Sequence, residues 1–131
     1  MKRISTGSPF EATMGYSRAV VKAGWCFVSG VTGYDYATMT MPDSAAEQAQ
    51  NCFATIARVL TEAGFEMHDI VRVQYTVVDA ALVDAIVPVL GANLGKIRPA
   101  ATMVIAGLIR PEMKIEIEVT AFKGWSWTIG K

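Results

Sequence analysis

Two stretches of this chain alternate apolar and polar residues so strictly that they fit one kind of structure, a sheet covered on one face. Val71, Val73, Tyr75 and Val77 alternate with Arg72, Gln74 and Thr76. Nearer the C-terminal end, Ile115, Ile117 and Val119 alternate with Lys114, Glu116 and Glu118. Successive side chains of a strand point to opposite faces, so each segment has one apolar face to bury and one face that need not be buried.

The cover for the apolar face is written in residues 44–63. Ala49, Cys52, Phe53, Ile56, Leu60 and Ala63 recur at helical spacing on one stripe. Ser44 and Glu47 form the pattern of a capping box, and Gly64 stands where a left-handed C-cap would end the helix. A second helix is expected over 80–94, with Asp79 as its N-cap. Pro88 lacks an N–H and is expected to kink or restart that helix, and Gly91 and Gly95 blur its end. Residues 17–22 and 25–32 are β-branched and aromatic runs separated by Ala23-Gly24, which reads as a hairpin. Residues 33–42 read as a loop. Strands over 101–109 and 113–122, joined by Arg110-Pro111-Glu112, close the chain. The order β-β-α-β-α-β-β implies an α+β fold, a mixed sheet with two helices on one face.

A length of 131 residues suits one domain over 1–131. Hydrophobic residues make up 52% and charged residues 18%, which argues against disorder and favours a second subunit as cover for the open face of the sheet. Twelve basic and twelve acidic residues cancel, so the chain has no general attraction for nucleic acid or an anionic membrane. Lys2 and Arg3 are not followed by the apolar core of a secretion signal, and no apolar run is long enough to span a bilayer. A cytoplasmic location is expected, with Cys26 and Cys52 as reduced core residues rather than a disulfide.

Glycine-rich phosphate loops, GxSxG elbows and HExxH helices are absent from the sequence. The one histidine, His68, lies in a helix-to-strand connection, where a structural or merely exposed role is the ordinary reading. Without a histidine partner, a serine or cysteine nucleophile has no base. Carboxylates remain. Glu116 is placed to act as a general base or to hold a water. Equally, Glu116 and Glu118 fit a solvated strand face on which Lys114 relieves their repulsion.

The element order is joined by a set of short motifs in sequence. They are Tyr16-Ser17 before the first strand, FVSG at Phe27–Gly30, LTEAGF closing the helix, DIVRVQYTVVD, and the final PAATMVIAGL and KIEIEVTAF. As an ordered set, over about residues 10–123, they resemble the Rid or YjgF family, whose older label is L-PSP endoribonuclease. The resemblance implies a chorismate-mutase-like domain that forms a homotrimer, with the sheets facing inward, the helices outside, and clefts between subunits. The best-known subfamily hydrolyses enamines and imines such as 2-aminoacrylate to keto acids and ammonia, without a metal or a cofactor of its own.

By the same resemblance, the water-positioning glutamate falls on Glu116 and the tyrosine of the cleft on Tyr16. The backbone of the turn falls on Ser29 and Gly30, the residue after it is Val31, and Thr102 keeps a small hydroxyl. The arginine that grips the substrate carboxylate after the Pro-Ala pair falls on Ala101. A methyl group cannot replace the two-pronged grip of a guanidinium on a carboxylate. Either another cation takes over or the ligand differs. Arg18, Arg72, Arg98 and Arg110 are the candidates, and Arg18 ranks first because it stands two positions from Tyr16. The function implied is hydrolytic deamination of an enamine or imine metabolite other than 2-aminoacrylate. The alternative is a trimer that binds a small metabolite without turnover. RNA cleavage ranks third, because the chain is neutral and has no histidine pair.

Overall fold

The computed structural model describes residues 1–124. Six strands form one mixed sheet in the order β1-β2-β3-β6-β4-β5. They are β1 (Lys2–Ile4), β2 (Ala19–Lys22), β3 (Trp25–Thr32), β4 (Ile70–Val77), β5 (Ala100–Ile105) and β6 (Ile115–Phe122). Helices α1 (Pro9–Met14), α2 (Ala45–Ala63) and α3 (Val83–Leu94) complete it. The expected β-β-α-β-α-β-β order is present, preceded by β1 and α1, which the sequence reading left out.

Strands β2 and β3 pair antiparallel through a two-residue turn. Ala23 and Gly24 have φ of +50° and +86°, the left-handed pair of a type I′ turn. Gly24 is required on a second count, since a Cβ there would stand 2.6 Å from the Gly124 carbonyl oxygen. Strand β6 lies between β3 and β4, antiparallel to both, and β5 joins the far side of β4 in parallel. A parallel neighbour needs a crossover, and α3 supplies it.

Helix α2 packs on β3 and β6, and α3 packs beside it. Every residue of the expected stripe of α2 is buried. It meets Val28, Val31, Val73, Ile115, Ile117 and Val119 of the sheet. Ser44 caps the helix, its hydroxyl accepting the Glu47 N–H at 3.0 Å. Gly64 ends it with φ of +88°. Buried Gln48 ties α2 to the loop that follows β5. Its amide donates to the carbonyls of Pro42 (2.8 Å) and Glu112 (3.0 Å), and its oxygen accepts the Lys114 N–H (2.8 Å). The Tyr34 hydroxyl donates to Glu112 at 2.5 Å and holds the same loop from the other side.

Several boundaries differ from expectation. Strand β5 stops at Ile105 rather than 109, because its partner β4 ends at Val77 and leaves residues 106–114 nothing to pair with. Strand β6 accordingly starts at Ile115, not 113. The second helix begins as a 3₁₀ turn, Ala80–Leu82, under the Asp79 cap, and then runs through Pro88 without a break. Val71 is exposed, not buried. A pairing irregularity between Ile70 and Arg72 lets Ile70 take the core position. Cys26 and Cys52 are separate, buried thiols.

Among the described residues, no second layer covers the face of the sheet away from α2 and α3. Exposed Trp25 packs against Phe122 (ring centroids 4.5 Å apart) and stacks on Phe27 (6.1 Å). No helix of the described residues is long and apolar enough to cross a membrane.

Candidate active site

One row of residues crosses four strands on the open face. Thr32 of β3 pairs with Glu116 of β6, Glu116 with Thr76 of β4, and Thr76 with Val104 of β5. Together they form the floor of a cleft of about 550 Å³. Phe10 and Met14 of α1 form one wall, and Leu108, Ile109 and Met113 of the 106–114 loop form another. Tyr16, Ser29, Gly30 and Tyr36 complete the polar side.

The polar side owes its shape to an irregularity in β3. Pairing with β6 breaks between Val28 and Val31, which frees Ser29 and Gly30 from the ladder. Arg18, just before β2, fills the gap. Its Nη1 donates to the carbonyls of Ser29 (3.1 Å) and Gly30 (2.7 Å), while its own carbonyl accepts the Ser29 N–H at 2.9 Å. The Ser29 hydroxyl donates to the Ser17 carbonyl at 2.7 Å. The guanidinium lies between two rings, 5.6 Å from the centroid of Tyr16 and 5.2 Å from that of Tyr36. Its Nη2 reaches the Tyr16 hydroxyl at a long 3.4 Å. Arg18 is only 1% exposed, and its Nε has no hydrogen-bond partner among the described residues. The Tyr36 hydroxyl accepts the Thr32 N–H at 3.1 Å, which fixes this ring against the floor.

Glu116 sits under this arrangement. Gly30 approaches it so closely that a Cβ there would stand 2.5 Å from the carboxyl carbon. Burial pushes the Glu116 pKa above the usual carboxylate range, the charge of Glu118 adds to this, and Arg18 pulls it back. Burial also raises the Tyr16 phenol, with Arg18 again opposing. A half-buried carboxylate between two threonines is suited to hold a water or exchange a proton. Among the described residues, no group of three His, Cys, Asp or Glu is placed to hold a metal ion.

The structure thus brings Glu116, Tyr16, Ser29 and Gly30 together, with Arg18 directly behind them. The other expected site residues lie elsewhere in the protomer. Val31 is fully buried on the helix side, where its carbonyl accepts from the Cys52 thiol. Ala101 pairs with Val73, so its side chain also belongs to the helix side of the sheet. It lines a shallow depression with Tyr75, Leu90 and Arg98. Thr102 is on the open face, where Arg72 donates to its hydroxyl at 3.2 Å. Arg110 lies over the Phe10 ring at 5.2 Å, on the side of Tyr34 and Glu112. His68 is a surface residue, its side chain 68% exposed.

Tyr36, Thr32 and the α1 wall were not anticipated. Tyr36 lies in a stretch with no periodicity. For α1 a signal did exist. Ser8 is the N-cap, Pro9 occupies the first turn and Gly15 ends the helix in a left-handed conformation.

Known proteins share this architecture and part of the sequence. A family described as Endoribonuclease L-PSP matches residues 6–123. A Mycobacterium tuberculosis protein, described as a member of the highly conserved YjgF/YER057c/UK114 family, has 34% identity and a TM-score of 0.85, over 93% of this chain and 98% of its own. A RutC family protein of Leuconostoc mesenteroides is 32% identical over 93% of this chain and 98% of its own. RidA from an Antarctic Psychrobacter shares the fold, with a TM-score of 0.79 at 24% identity, over 93% of this chain and 94% of its own. With the family match spanning nearly all of the described residues, the chain belongs to the YjgF or Rid family, the L-PSP family of the older label.

Proposed function

We propose that the cleft hydrolyses an imine, or the imine tautomer of an enamine, to a carbonyl compound and ammonia. The observation that carries this reading is Glu116, a half-buried carboxylate with a raised pKa on the floor of a cleft. Glu116 takes a proton from a bound water as the oxygen adds to the C=N carbon. Glu116 returns that proton to the nitrogen, which gives the neutral carbinolamine. As this collapses to C=O, Glu116 takes the hydroxyl proton and passes it to the departing nitrogen, which leaves as ammonia. One water is consumed and the carboxylate is regenerated. Ser29 and the tyrosine hydroxyls supply the remaining polar contacts.

The working assembly in this reading is a homotrimer that buries the open face of the sheet. The exposed cluster of Trp25, Phe27 and Phe122 supports it, as a patch of three aromatic rings favours burial against another chain. Light scattering should give a mass near three times 14.1 kDa. A monomer at micromolar concentration would remove the assembly from the proposal.

Ammonia release from a panel of imines tests the chemistry. The wild type should act on at least one, and Glu116→Gln should be slower by roughly 100-fold or more. Ala101 stands where the family resemblance places a carboxylate-gripping arginine. Activity on 2-aminoacrylate should therefore be low, by about 10- to 100-fold relative to an arginine-bearing relative. A second reading, a trimer that binds a metabolite without turnover, is favoured by one observation: most of the cleft wall is apolar. Tight binding without ammonia release would select it. The RNA-cleaving activity of the family's older label is disfavoured by Glu116, the one charged group lining the cleft among the described residues.

A further inference from the structure

We infer that Arg98 of one copy anchors the substrate carboxylate in the cleft of its neighbour, and that the substrate is an imino acid whose carboxylate stands several bonds beyond the C=N carbon. This rests on the Glu116 cleft and the trimer proposed above, and it names the cation and the substrate class of that site.

The first argument is position. Resemblance assigns the carboxylate-gripping arginine to position 101, in a cleft between subunits. Ala101 pairs with Val73, so it lies on the helix side of the sheet, opposite the Glu116 of its own chain. A group placed there can serve only the Glu116 of another copy. Arg98 lines the same hollow as Ala101, a depression of about 310 Å³ walled by Gly91 and Gly95. A charge on Arg98 is thus delivered to the surface on which an arginine at 101 would put it. The hollow opens at an edge of the sheet, because β5 is an edge strand with five of its six residues exposed. Its sequence, AATMVI, has no charge and no proline to discourage pairing, so this edge favours cover by another chain.

The second argument is the backbone. Arg98 has a φ of +54° and precedes Pro99. Glycine or asparagine is the usual occupant of a left-handed turn position after a helix. A following proline drives the residue before it toward extended backbone instead. The Arg98 N–H, donating to the Leu94 carbonyl at 2.8 Å, holds the turn. That bond needs no side chain, so glycine would make the turn with less strain. The arginine side chain is what the strained position keeps. In its own protomer it has no carboxylate partner, since the ion pairs among the described residues are those of His68.

Other arginines are committed within their own protomer. Arg18 is 1% exposed and holds the Ser29 and Gly30 carbonyls. Arg72 donates to the Thr102 hydroxyl, and Arg110 lies over the Phe10 ring.

The place of the cation sets the substrate class. In the imine of 2-aminoacrylate the carboxylate is bonded to the carbon that water attacks. Arg98 stands three residues before position 101, at most about 10 Å along the chain. Its flexible side chain recovers only part of that distance. The carboxylate it grips therefore lies further from Glu116.

Three carbonyl compounds test the inference on the intact protein by calorimetry at neutral pH: 4-oxopentanoate, pyruvate and pentan-2-one. They carry a distant carboxylate, an adjacent one and none. 4-Oxopentanoate should bind at least about tenfold more tightly than either of the others, the scale of one charge-assisted contact. Arg98→Met should erase its advantage over pentan-2-one, and Arg98→Lys should keep part of it. Arg98→Gly should erase it as well while melting higher than the wild type, which separates the charge from the turn. Equal binding of the three probes to the wild type overturns the inference, as does a preference that survives Arg98→Met.

Mixed trimers show which copy supplies the charge. Glu116→Gln and Arg98→Met should each release ammonia slowly from 4-iminopentanoate. Refolded together in equal amounts, they should regain about a quarter of the wild-type rate, because about a quarter of the clefts then combine an intact Glu116 with a neighbour's intact Arg98. A mixture no faster than the two variants apart overturns the inference. Binding that depends on Arg98 without turnover would end the hydrolysis reading and leave the anchor standing. Imine turnover that ignores Arg98 would do the reverse.

Discussion

Gly30 and Glu116 occupy the same small volume: a methyl group on Gly30 would stand 2.5 Å from the carboxyl carbon of Glu116. The backbone at Gly30 has no left-handed φ to explain the glycine, so the carboxylate is the reason for it. Gly30→Ala should therefore act on Glu116. Either the carboxylate swings off the floor, at little cost because it is the end of a flexible side chain, or the strand moves, at about 1–3 kcal/mol of overpacking. We expect a loss of ammonia release at least as large as that of Glu116→Gln, with a lower midpoint in urea if the strand moves. A variant with wild-type stability and turnover would show that the close approach is not needed.

The raised pKa of Glu116 makes a prediction about stability, with the sign fixed by proton counting. Between the ordinary carboxylate pKa and the raised one, the native state binds more protons than the unfolded state. Stability must therefore fall as pH rises through that window. The burial that shifts Glu116 thus opposes folding at neutral pH. Glu116→Gln should melt higher than the wild type at pH 7, and the two should converge below the ordinary carboxylate range. Turnover should show the opposite pH trend, increasing as Glu116 ionises to become a base. Melting curves that differ by the same amount at pH 4 and pH 7 would contradict this.

Arg18 holds the strand irregularity and also steadies the charge on Glu116. Arg18→Met leaves the Ser29 and Gly30 carbonyls without their donor, at about 1–3 kcal/mol each. It also removes the cation that lowers the Glu116 pKa. The pH midpoint of turnover should consequently move upward, a result that a purely structural role would not give. Arg18→Lys keeps the charge and loses the fork, so it should lower stability while shifting the midpoint less. An unmoved midpoint in Arg18→Met would confine the residue to holding the backbone.

Ala23 carries a left-handed backbone, φ +50°, in a turn that favours Asn-Gly. Ala23→Asn should stabilise the chain by about 0.5–1 kcal/mol, measured by denaturant titration. The turn is far from the cleft along the sheet, so ligand affinity should not change.

The parts of the fold that were legible in the sequence are those governed by local rules. Helix α2 shows its apolar stripe, its serine cap and its terminal glycine, and β6 shows an unbroken alternation. The misreadings arise where pairing overrides the local pattern. Val71 reads as a core residue, but the irregularity beside Arg72 gives the position to Ile70. Residues 106–109 read as strand because they are apolar, yet β4 ends too early to pair with them. Of the residues that line the cleft, Glu116, Tyr16, Ser29 and Gly30 are ones the family pattern also names. Tyr36 is not among them, because its place on the polar side of the cleft depends on a hydrogen bond to Thr32 that no periodicity announces. Resemblance assigns Ala101 to a cleft between subunits; within its own protomer its pairing with Val73 puts its side chain on the helix side of the sheet.

The row Thr32, Glu116, Thr76 and Val104 takes one residue from each of four strands, and the residues on either side of each floor position along its strand face the other way. Strand alternation therefore decouples ligand choice from the hydrophobic layer. Exchanging Thr76 or Val104 would recast the floor while leaving Tyr75, Val77 and their contacts with the helices untouched. A lineage carrying this sheet has several places at which to try new substrates one residue at a time. The exception is the Gly30–Arg18 corner, where backbone and chemistry are fastened together and a single change must answer to both.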